Sequence, residues 1–230
     1  MKEQVIADMF KVSIFTVSRV TITWANYLFI LFSSLNMWIS RDKVKATMPQ
    51  RFLKHSPNVR VILDYTDIAL EAASSLTLQF ETSSAYKNCT TLKGLIGVAP
   101  NGLVTFISQL YTGCLSDKDI TKISGILLLL EPGDEVVADK GFLIQGLLDE
   151  VGANLKMPTF RHPDQFRESE TEETQAIAHL RIIVARALAR IKCFHIWDSP
   201  VPLTLITSVN QIWHNCCVLA NYRGPFCIED

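Results

Sequence analysis

One stretch decides how this chain is interpreted: residues 131–142, with the sequence EPGDEVVADKGF. Its Pro-Gly pair is a turn signal, and the β-branched Val136 and Val137 that follow predict a short buried strand. That strand ends on Asp139, and the carboxyl ends of strands in open α/β sheets border the crevice where ligands bind. Taken alone, Asp139 also fits a solvated turn aspartate before a glycine.

A second predicted strand ends on an acid upstream, where residues 59–64 read VRVILD and finish on Asp64. A third acid, Asp117, opens a predicted helix with a capping-box pattern after Ser116. Clustered carboxylates repel one another, so burying them together is costly without a cation, and hard oxygen ligands select Mg²⁺ or Mn²⁺. We therefore predict that Asp64, Asp117 and Asp139 converge as a metal site suited to phosphodiester chemistry.

Composition indicates one sizeable domain, because 48% of the 230 residues are hydrophobic. The net charge of −1 is unevenly distributed: residues 1–60 hold nine Lys/Arg and three Asp/Glu, whereas residues 61–230 hold thirteen and twenty. This distribution fits a basic N-terminal segment that contacts nucleic acid, followed by an acidic domain that binds metal. Chance segregation of the charges would give the same pattern. The six cysteines lack zinc-like spacing and the first dozen residues lack a secretory pattern, so we expect free thiols in a reducing compartment.

Residues 5–19 have the spacing of a helix–turn–helix, with a plain helical hairpin as the alternative. Ala7 is small where two helices would cross, Ser13 is a good N-cap for the second helix, and Val17 returns to the core. Three side chains of the second helix are then candidates for DNA contact: Thr16, Ser18 and Arg19.

Residues 20–40 carry no charge, and their length would span a bilayer. Several Thr, Asn and Ser residues interrupt the segment, and a helical stripe runs from Trp24 to Trp38, so we expect a long buried helix and no membrane contact. Residues 41–57 follow as a basic connector, interpreted either as a DNA-backbone contact or as a solvated linker.

In the remainder of the chain, the predicted strands and helices follow one another in the order typical of an α/β domain, and no internal repeat is visible. The patterns predict strands at 92–98, 103–111 and 154–157, a helix from 116 to 130, a helix at 143–150, a polar loop at 163–173, and helices at 174–193 and 203–221.

Five motifs in this order resemble those of PIF/Harbinger-type DDE transposases over nearly the whole chain. ILDYTDI at 62–68 resembles their D-C-T-x-I strand, and residues 86–97 are similar to Y-K-x-H-x-T-x-K-x-L-I-G. GCLSDKDI at 113–120 is similar to G-x-x-S-D-x-x-I, and VADKGF at 137–142 resembles A-D-R-G-F. Finally, LRIIVARALARIK at 180–192 resembles R-I-H-V-E-R-A-I-G-R-I-K.

The resemblance implies a ribonuclease H-like DDE nuclease fold at 58–222, preceded by a small all-α helix–turn–helix region at 1–40 and the connector at 41–57. By position, Asp64 and Asp139 carry the first two acids of the catalytic triad, and Asp117 a further metal-site acid. The third triad member is a glutamate in the family, but Ala185 stands there in this chain.

The implied function is a transposase-derived, divalent-metal-binding endonuclease-like protein that acts on DNA in the nucleus, where a separate Myb-like protein is an expected partner. Loss of one carboxylate should weaken at least one of two catalytic ions. The alternative is a catalytically inactive, domesticated DNA- or protein-binding module. The sequence does not fix the DNA target or the oligomeric state.

Overall fold

The computed structural model describes residues 3–53, 56–72, 90–139, 143–157 and 168–223, without the side chains of residues 51 and 168–179. Its α-helices are α1 (Glu3–Phe10), α2 (Ile14–Ser33), α3 (Arg41–Ala46), α4 (Gln50–Leu53), α5 (Asp117–Ile123), α6 (Gln145–Glu150), α7 (Glu168–Lys192) and α8 (Val209–Asn221). Its strands are β1 (Val59–Ala69), β2 (Thr91–Val98), β3 (Val104–Thr112), β4 (Glu135–Val137) and β5 (Asn154–Lys156). Short 3₁₀ helices occupy Ile126–Leu128, His195–Trp197 and Leu203–Ser208.

The five strands form one mixed sheet in the order β3-β2-β1-β4-β5. β1 pairs antiparallel with β2, and β2 with β3, whereas β4 runs parallel to both β1 and β5. The α/β expectation is thereby confirmed, and the five-stranded mixed sheet fits a ribonuclease H-like DDE fold.

Apolar side chains cover both faces of the sheet. On one face Ile62 and Val137 pack with α7 and α8, whose contributions include Leu180, Ala187 and Trp213. On the other face Val61, Leu63 and Val136 pack with α5 and α6, through residues such as Ile120, Ile144 and Leu148. Because β1 is buried on both sides, its residues before Asp64 are all apolar except the buried Arg60.

Several predicted boundaries differ from the structure. The strand expected to end on Asp64 continues to Ala69, because residues 65–69 keep pairing with β2, so Asp64 lies within β1. The helix expected at 203–221 is a 3₁₀ helix over Leu203–Ser208, and α8 begins only at Val209.

The helix expected from 116 to 130 ends at Ile123, because Gly125 adopts a left-handed φ of 87° and starts the 3₁₀ turn that follows. The polar loop expected at 163–173 is helical from Glu168 onward, so α7 is longer than predicted. Residues 86–89, 140–142 and 163–167, on which parts of the motifs and of the predicted loop fall, lie outside the described residues.

At the N-terminus α1 and α2 are joined by a three-residue turn in which Lys11 has a φ of 53°. The Ser13 hydroxyl caps α2 by accepting a hydrogen bond from the Thr16 N–H at 3.1 Å, as predicted. Ala7 and Val17 are buried where the helices meet. This geometry is common to a helix–turn–helix and to a helical hairpin, so the motif stays a prediction.

The expectation of a buried helix over residues 20–40 is wrong in its bounds and in its burial. α2 ends at Ser33, and most of the predicted stripe faces solvent, with Trp24 56% exposed and Leu31 49% exposed. Trp38, beyond the helix, is partly buried against the core. The buried side instead carries Val17 and Ala25. An uncharged helix has apolar residues on more than one side, so periodicity does not decide which side packs inward. By length and composition α2 would also cross a membrane, with a mean hydropathy of 1.3 and 11% of the segment buried.

Residues 41–53 pack as part of the domain. α3 and α4 place Val44, Met48 and Phe52 in the same apolar cluster as β1, and Phe52 is completely buried. The Arg41 Nε donates to Asp134 Oδ1 at 2.9 Å, which ties this segment to the turn before β4. The basic residues of the segment therefore lie on elements anchored to the sheet.

The cysteines within the described ranges are free thiols: Cys114 and Cys193 are exposed, and Cys216 and Cys217 are buried. Burial raises the pKa of the Cys216 thiol to about 12, which keeps it protonated and unreactive. Cys89 and Cys227 lie outside the described residues.

Candidate metal centre

Asp64 and Asp139 are brought together because β1 and β4 are parallel neighbours. Ile62 pairs with Val137, and each aspartate follows its member of that pair by two residues. Residues two apart on a strand share a face, and both Ile62 and Val137 face the core covered by α7. Since adjacent strands lie ~4.8 Å apart, the register predicts that both carboxylates lie side by side beneath α7, midway along β1 and just after the end of β4.

The electrostatics of Asp64 agree with this placement. Burial raises the pKa of the Asp64 carboxyl from 3.8 to about 6, and the nearby charge of Asp139 adds to the increase. The Tyr65 N–H, which donates to Asp64 Oδ1 at 2.8 Å, acts in the opposite direction, as do the charges of Arg181 and Lys192. Two carboxylates and two basic side chains therefore share one partly desolvated site.

Helix α7 supplies those basic side chains as it packs across β1, β2 and β4. The Arg181 Nη2 donates to Asp139 Oδ2 at 2.6 Å, and the Lys192 Nζ donates to the Asp67 carbonyl at 3.3 Å. Ala185 lies one turn beyond Arg181, and residues four apart share a helix face. It is also solvent-exposed. The helix therefore presents a methyl group where the resemblance implies a carboxylate.

The structure does not bring Asp117 to this pair. Neighbouring residues on a strand point to opposite faces, so Tyr65 lies on the face opposite Asp64. The Tyr65 hydroxyl donates to the Asp117 carbonyl at 2.5 Å, which places α5 on the Tyr65 side. The Asp117 carboxylate instead pairs with the Lys93 Nζ at 3.0 Å. The predicted convergence therefore extends to two acids, because sequence spacing does not reveal the face that α5 covers.

Asp64 and Asp139 together could serve as two ligands of a single divalent cation. Asp64 and Asp139 offer hard carboxylate oxygens of the kind that Mg²⁺ and Mn²⁺ prefer, and the raised pKa of Asp64 reflects the desolvation and repulsion that a cation would relieve. Across the described ranges, no group of three or more His, Cys, Asp or Glu side chains is placed to hold a metal ion. Water would have to complete the coordination of an ion at Asp64 and Asp139.

The predicted DNA-contacting residues lie at the start of α2. The Thr16 hydroxyl is 2.9 Å from that of Ser13, and Ser18 is partly buried. Arg19 is exposed, with its guanidinium carbon 5.9 Å from the centre of the Phe15 ring. Of the three, Arg19 is therefore the side chain best placed to reach a phosphate, and its contact with DNA stays a prediction.

Sequence reasoning missed two ion pairs at or near the site. The motif places Arg181 one turn from Ala185. The hydrogen bond from Arg181 to Asp139, however, depends on the position of α7 relative to β4, and no local sequence pattern determines that position. The Lys93–Asp117 ion pair follows from the alternation of side chains along the strands. Lys93 lies opposite Asp67 in the sheet, and Asp67 is on the same face as Tyr65, where α5 and Asp117 pack. That register becomes known only once β1 and β2 are paired.

A five-stranded mixed sheet with one acid midway along β1 and a second just after β4 fits a ribonuclease H-like nuclease domain. A family model described as a DDE superfamily endonuclease matches residues 63–221, which is more than half of the chain. The chain therefore belongs to this family, whose members generally use divalent metals and act on DNA. No curated protein and no solved structure gives a significant match to the chain.

We expect Asp64→Asn to stabilise the metal-free chain at high pH and to have little effect at low pH. The folded-state pKa of about 6 exceeds the unfolded value of 3.8, so the native chain loses stability as pH rises between those values. The gain should be near zero below pH 4 and reach ~3 kcal/mol above pH 7. Urea unfolding in EDTA from pH 4 to 8 measures it; a gain independent of pH would contradict the desolvated-carboxyl interpretation.

Proposed function

We propose that this chain is a transposase-derived DDE endonuclease-like domain of the PIF/Harbinger type. It binds DNA and a divalent cation, Mg²⁺ or Mn²⁺, through Asp64 and Asp139, and it cleaves DNA weakly because Ala185 replaces the third acid. The observation that carries the proposal is the placement of Asp64 and Asp139 side by side beneath the α7 face that holds Ala185. The family match supports DNA as the substrate class.

Each residue of the site has a chemical part in this proposal. A divalent cation, when bound, supplies Lewis-acid polarisation of a phosphodiester and stabilises its leaving oxygen. Asp64 and Asp139 hold the cation, and the positive charges of Arg181 and Lys192 favour the ionised Asp64 needed for that task. Ala185 offers no oxygen ligand, so the charge that a third carboxylate would contribute to holding the cation is missing.

A second candidate function, an inactive DNA- or partner-binding module, is favoured by the Arg181–Asp139 ion pair at 2.6 Å. A guanidinium on the carboxylate already neutralises part of the charge that attracts a cation. Nuclear localisation and a Myb-like partner protein belong to both proposals through the resemblance to PIF/Harbinger transposases.

Calorimetric titration with Mn²⁺ and a DNA-cleavage assay together test the proposal. We expect weak Mn²⁺ binding by the native chain at pH 8, no detectable binding after Asp139→Asn, and slow Mn²⁺-dependent nicking of supercoiled DNA that Asp139→Asn abolishes. Absence of both binding and nicking in the native chain would favour the inactive module. The Asp117→Asn variant is the matched control, since Asp117 is an acid paired on the other face of the sheet.

We expect Arg181→Gln to tighten Mn²⁺ binding by roughly 5- to 10-fold, because it frees Asp139 from a charged hydrogen bond that is partly exposed to solvent. Arg181 also lowers the pKa of Asp64, so the titration belongs at pH 8, where Asp64 stays ionised in both proteins. Arg186→Gln removes an exposed charge from the same helix and controls for general electrostatics. Equal or weaker binding by Arg181→Gln would show that Arg181 does not compete with the cation.

A further inference from the structure

Helix α2 carries a second apolar stripe that nothing in the described part of the chain covers. It consists of Val20, Trp24, Tyr27 and Leu31, which are 46%, 56%, 57% and 49% exposed. The Trp24 and Tyr27 rings meet edge to face with their centres 5.6 Å apart, so the side chains form one continuous surface. We refer to these four residues as the α2 stripe.

The opposite side of α2 is fixed to the domain. The Asn215 Nδ2 of α8 donates to the Ala25 carbonyl at 2.8 Å in a buried contact, and the Phe29 ring packs edge to face on His214 at 5.1 Å. Ala25 lies at the middle of the helix, so the anchoring holds α2 along its length. The α2 stripe therefore points away from the core as a rigid, preformed ridge.

The spacing of the α2 stripe is that of a helix–helix seam. Its residues are separated by four, three and four positions, which is the alternation of a coiled-coil core. The positions beside the stripe include Thr23 and Ile30, and residues 20–40 contain no Asp, Glu, Lys or Arg. In a two-fold symmetric dimer the same surface patch of each copy faces the other, so an uncharged ridge can meet its own copy without like-charge repulsion.

We propose that the α2 stripe is a homodimer interface, in which α2 of one copy packs along α2 of a second copy of this chain. The partner would cover Trp24 and Tyr27, residue types that often dominate the binding energy of protein interfaces. The proposal is independent of the metal site, which lies beneath α7.

The area of the stripe suits a dimer of standard size. Taking ~200 Å² for each fully exposed large apolar side chain, the four residues offer roughly 400 Å² per copy at their observed exposures. Ile30 beside the stripe is 72% exposed and adds roughly 140 Å² per copy on the same scale. Two copies would then bury ~1,100 Å² of apolar surface alone, which exceeds the ~1,000 Å² that a specific interface should clear.

A lipid bilayer is the competing occupant that the length of α2 suggests. To cross a membrane, α2 would have to separate from α8. The buried Asn215 side chain would then lose its hydrogen bond to the Ala25 carbonyl. A second copy requires no such rearrangement. From Val20 to the end of α2 the exposed half of the helix is uncharged, which a copy of the same segment matches.

The proposal is tested on the full chain by sedimentation velocity from 1 to 100 μM in the presence of EDTA. We expect the native chain to dimerise and Tyr27→Glu to raise the dissociation constant by at least ~30-fold, as for loss of an interface hot spot. Phe15→Glu is the matched control, because Phe15 is 73% exposed on the same helix but lies off the stripe. Its dimer should be within a few-fold of the native one, and circular dichroism checks that each variant is folded.

A charge-pairing experiment identifies the partner as a second copy. Tyr27→Glu and Tyr27→Lys should each be monomeric alone and should form a mixed dimer when combined, because opposite charges then meet across the seam. A native chain that stays monomeric at 100 μM would overturn the proposal. So would dimerisation that Tyr27→Glu leaves unchanged, or native binding to neutral phosphatidylcholine vesicles that Tyr27→Glu abolishes, since the last result would assign the α2 stripe to a membrane.

Discussion

Ala185→Glu is expected to raise Mn²⁺-dependent nicking of supercoiled DNA by at least ~100-fold over the native chain, equivalent to ~2.7 kcal/mol of transition-state stabilisation. The site already has two adjacent carboxylates, and the new side chain would add a third oxygen ligand from α7. Its charge would also offset that of the cation and of Arg181. Interactions that matter only when the reacting phosphodiester is bound raise the rate more than they raise affinity for one ion.

The local structure should accept the substitution. Ala185 is solvent-exposed in the last third of α7, so a longer side chain meets no packed core. Glutamate is a good helix former and lies four residues after Arg181, close enough to interact with it. We therefore expect the unfolding free energy to change by less than ~1 kcal/mol, and a gain in cleavage would not reflect a more stable fold.

Two variants isolate the effect of the carboxylate. Ala185→Gln has nearly the same shape without the charge and should stay close to native activity. Ala185→Glu combined with Asp139→Asn should lose the gain, because the new acid then lacks its partner at the end of β4. Strong cleavage by the native chain that Asp139→Asn abolishes would show that another acid completes the site. No cleavage by any variant would support the inactive binding module.

Sequence predicts the elements of this fold well at positions where a residue type has only one physical explanation. The short runs before Asp64 and Asp139 predicted two strands, because β-branched and apolar residues bounded by turn signals favour a buried strand. Ser13 and Ser116 were identifiable as helix caps because a hydroxyl before a helix satisfies a free N–H group.

Faces and registers were harder to predict than elements. Asp117 was assigned to the metal site because of its motif. Its helix, α5, instead packs on the face of β1 that carries Tyr65. The stripe from Trp24 to Trp38 was expected to be buried, yet α2 uses the side that carries Val17 and Ala25. In both cases the local pattern was compatible with two packings, and contacts distant in sequence decide between them.

Asp134→Ala is expected to destabilise the domain by about 3–5 kcal/mol, because it leaves a buried arginine without its counter-charge. Asp134 is completely buried at the turn that precedes β4, where it accepts hydrogen bonds from Arg41 Nε and from the Glu131 N–H, both at 2.9 Å. Its second oxygen lies 3.8 Å from the Nε of Arg60, whose side chain is 2% exposed. Urea unfolding at pH 7 in EDTA measures the loss.

The size of that loss depends on the surroundings of Arg60, whose guanidinium stacks over the Trp38 ring at 4.9 Å and is poorly accessible to water. A second acid, Glu131, lies 3.8 Å from Arg60 but is 57% exposed, so water screens its charge. Glu131→Gln is therefore the matched control and should cost less than ~1 kcal/mol. If Asp134→Ala cost no more than that, Glu131 and Trp38 would be sufficient to stabilise the Arg60 charge. A loss of several kcal/mol would show that the Asp134 carboxylate holds residues 38–41 and 60 against the turn that precedes β4.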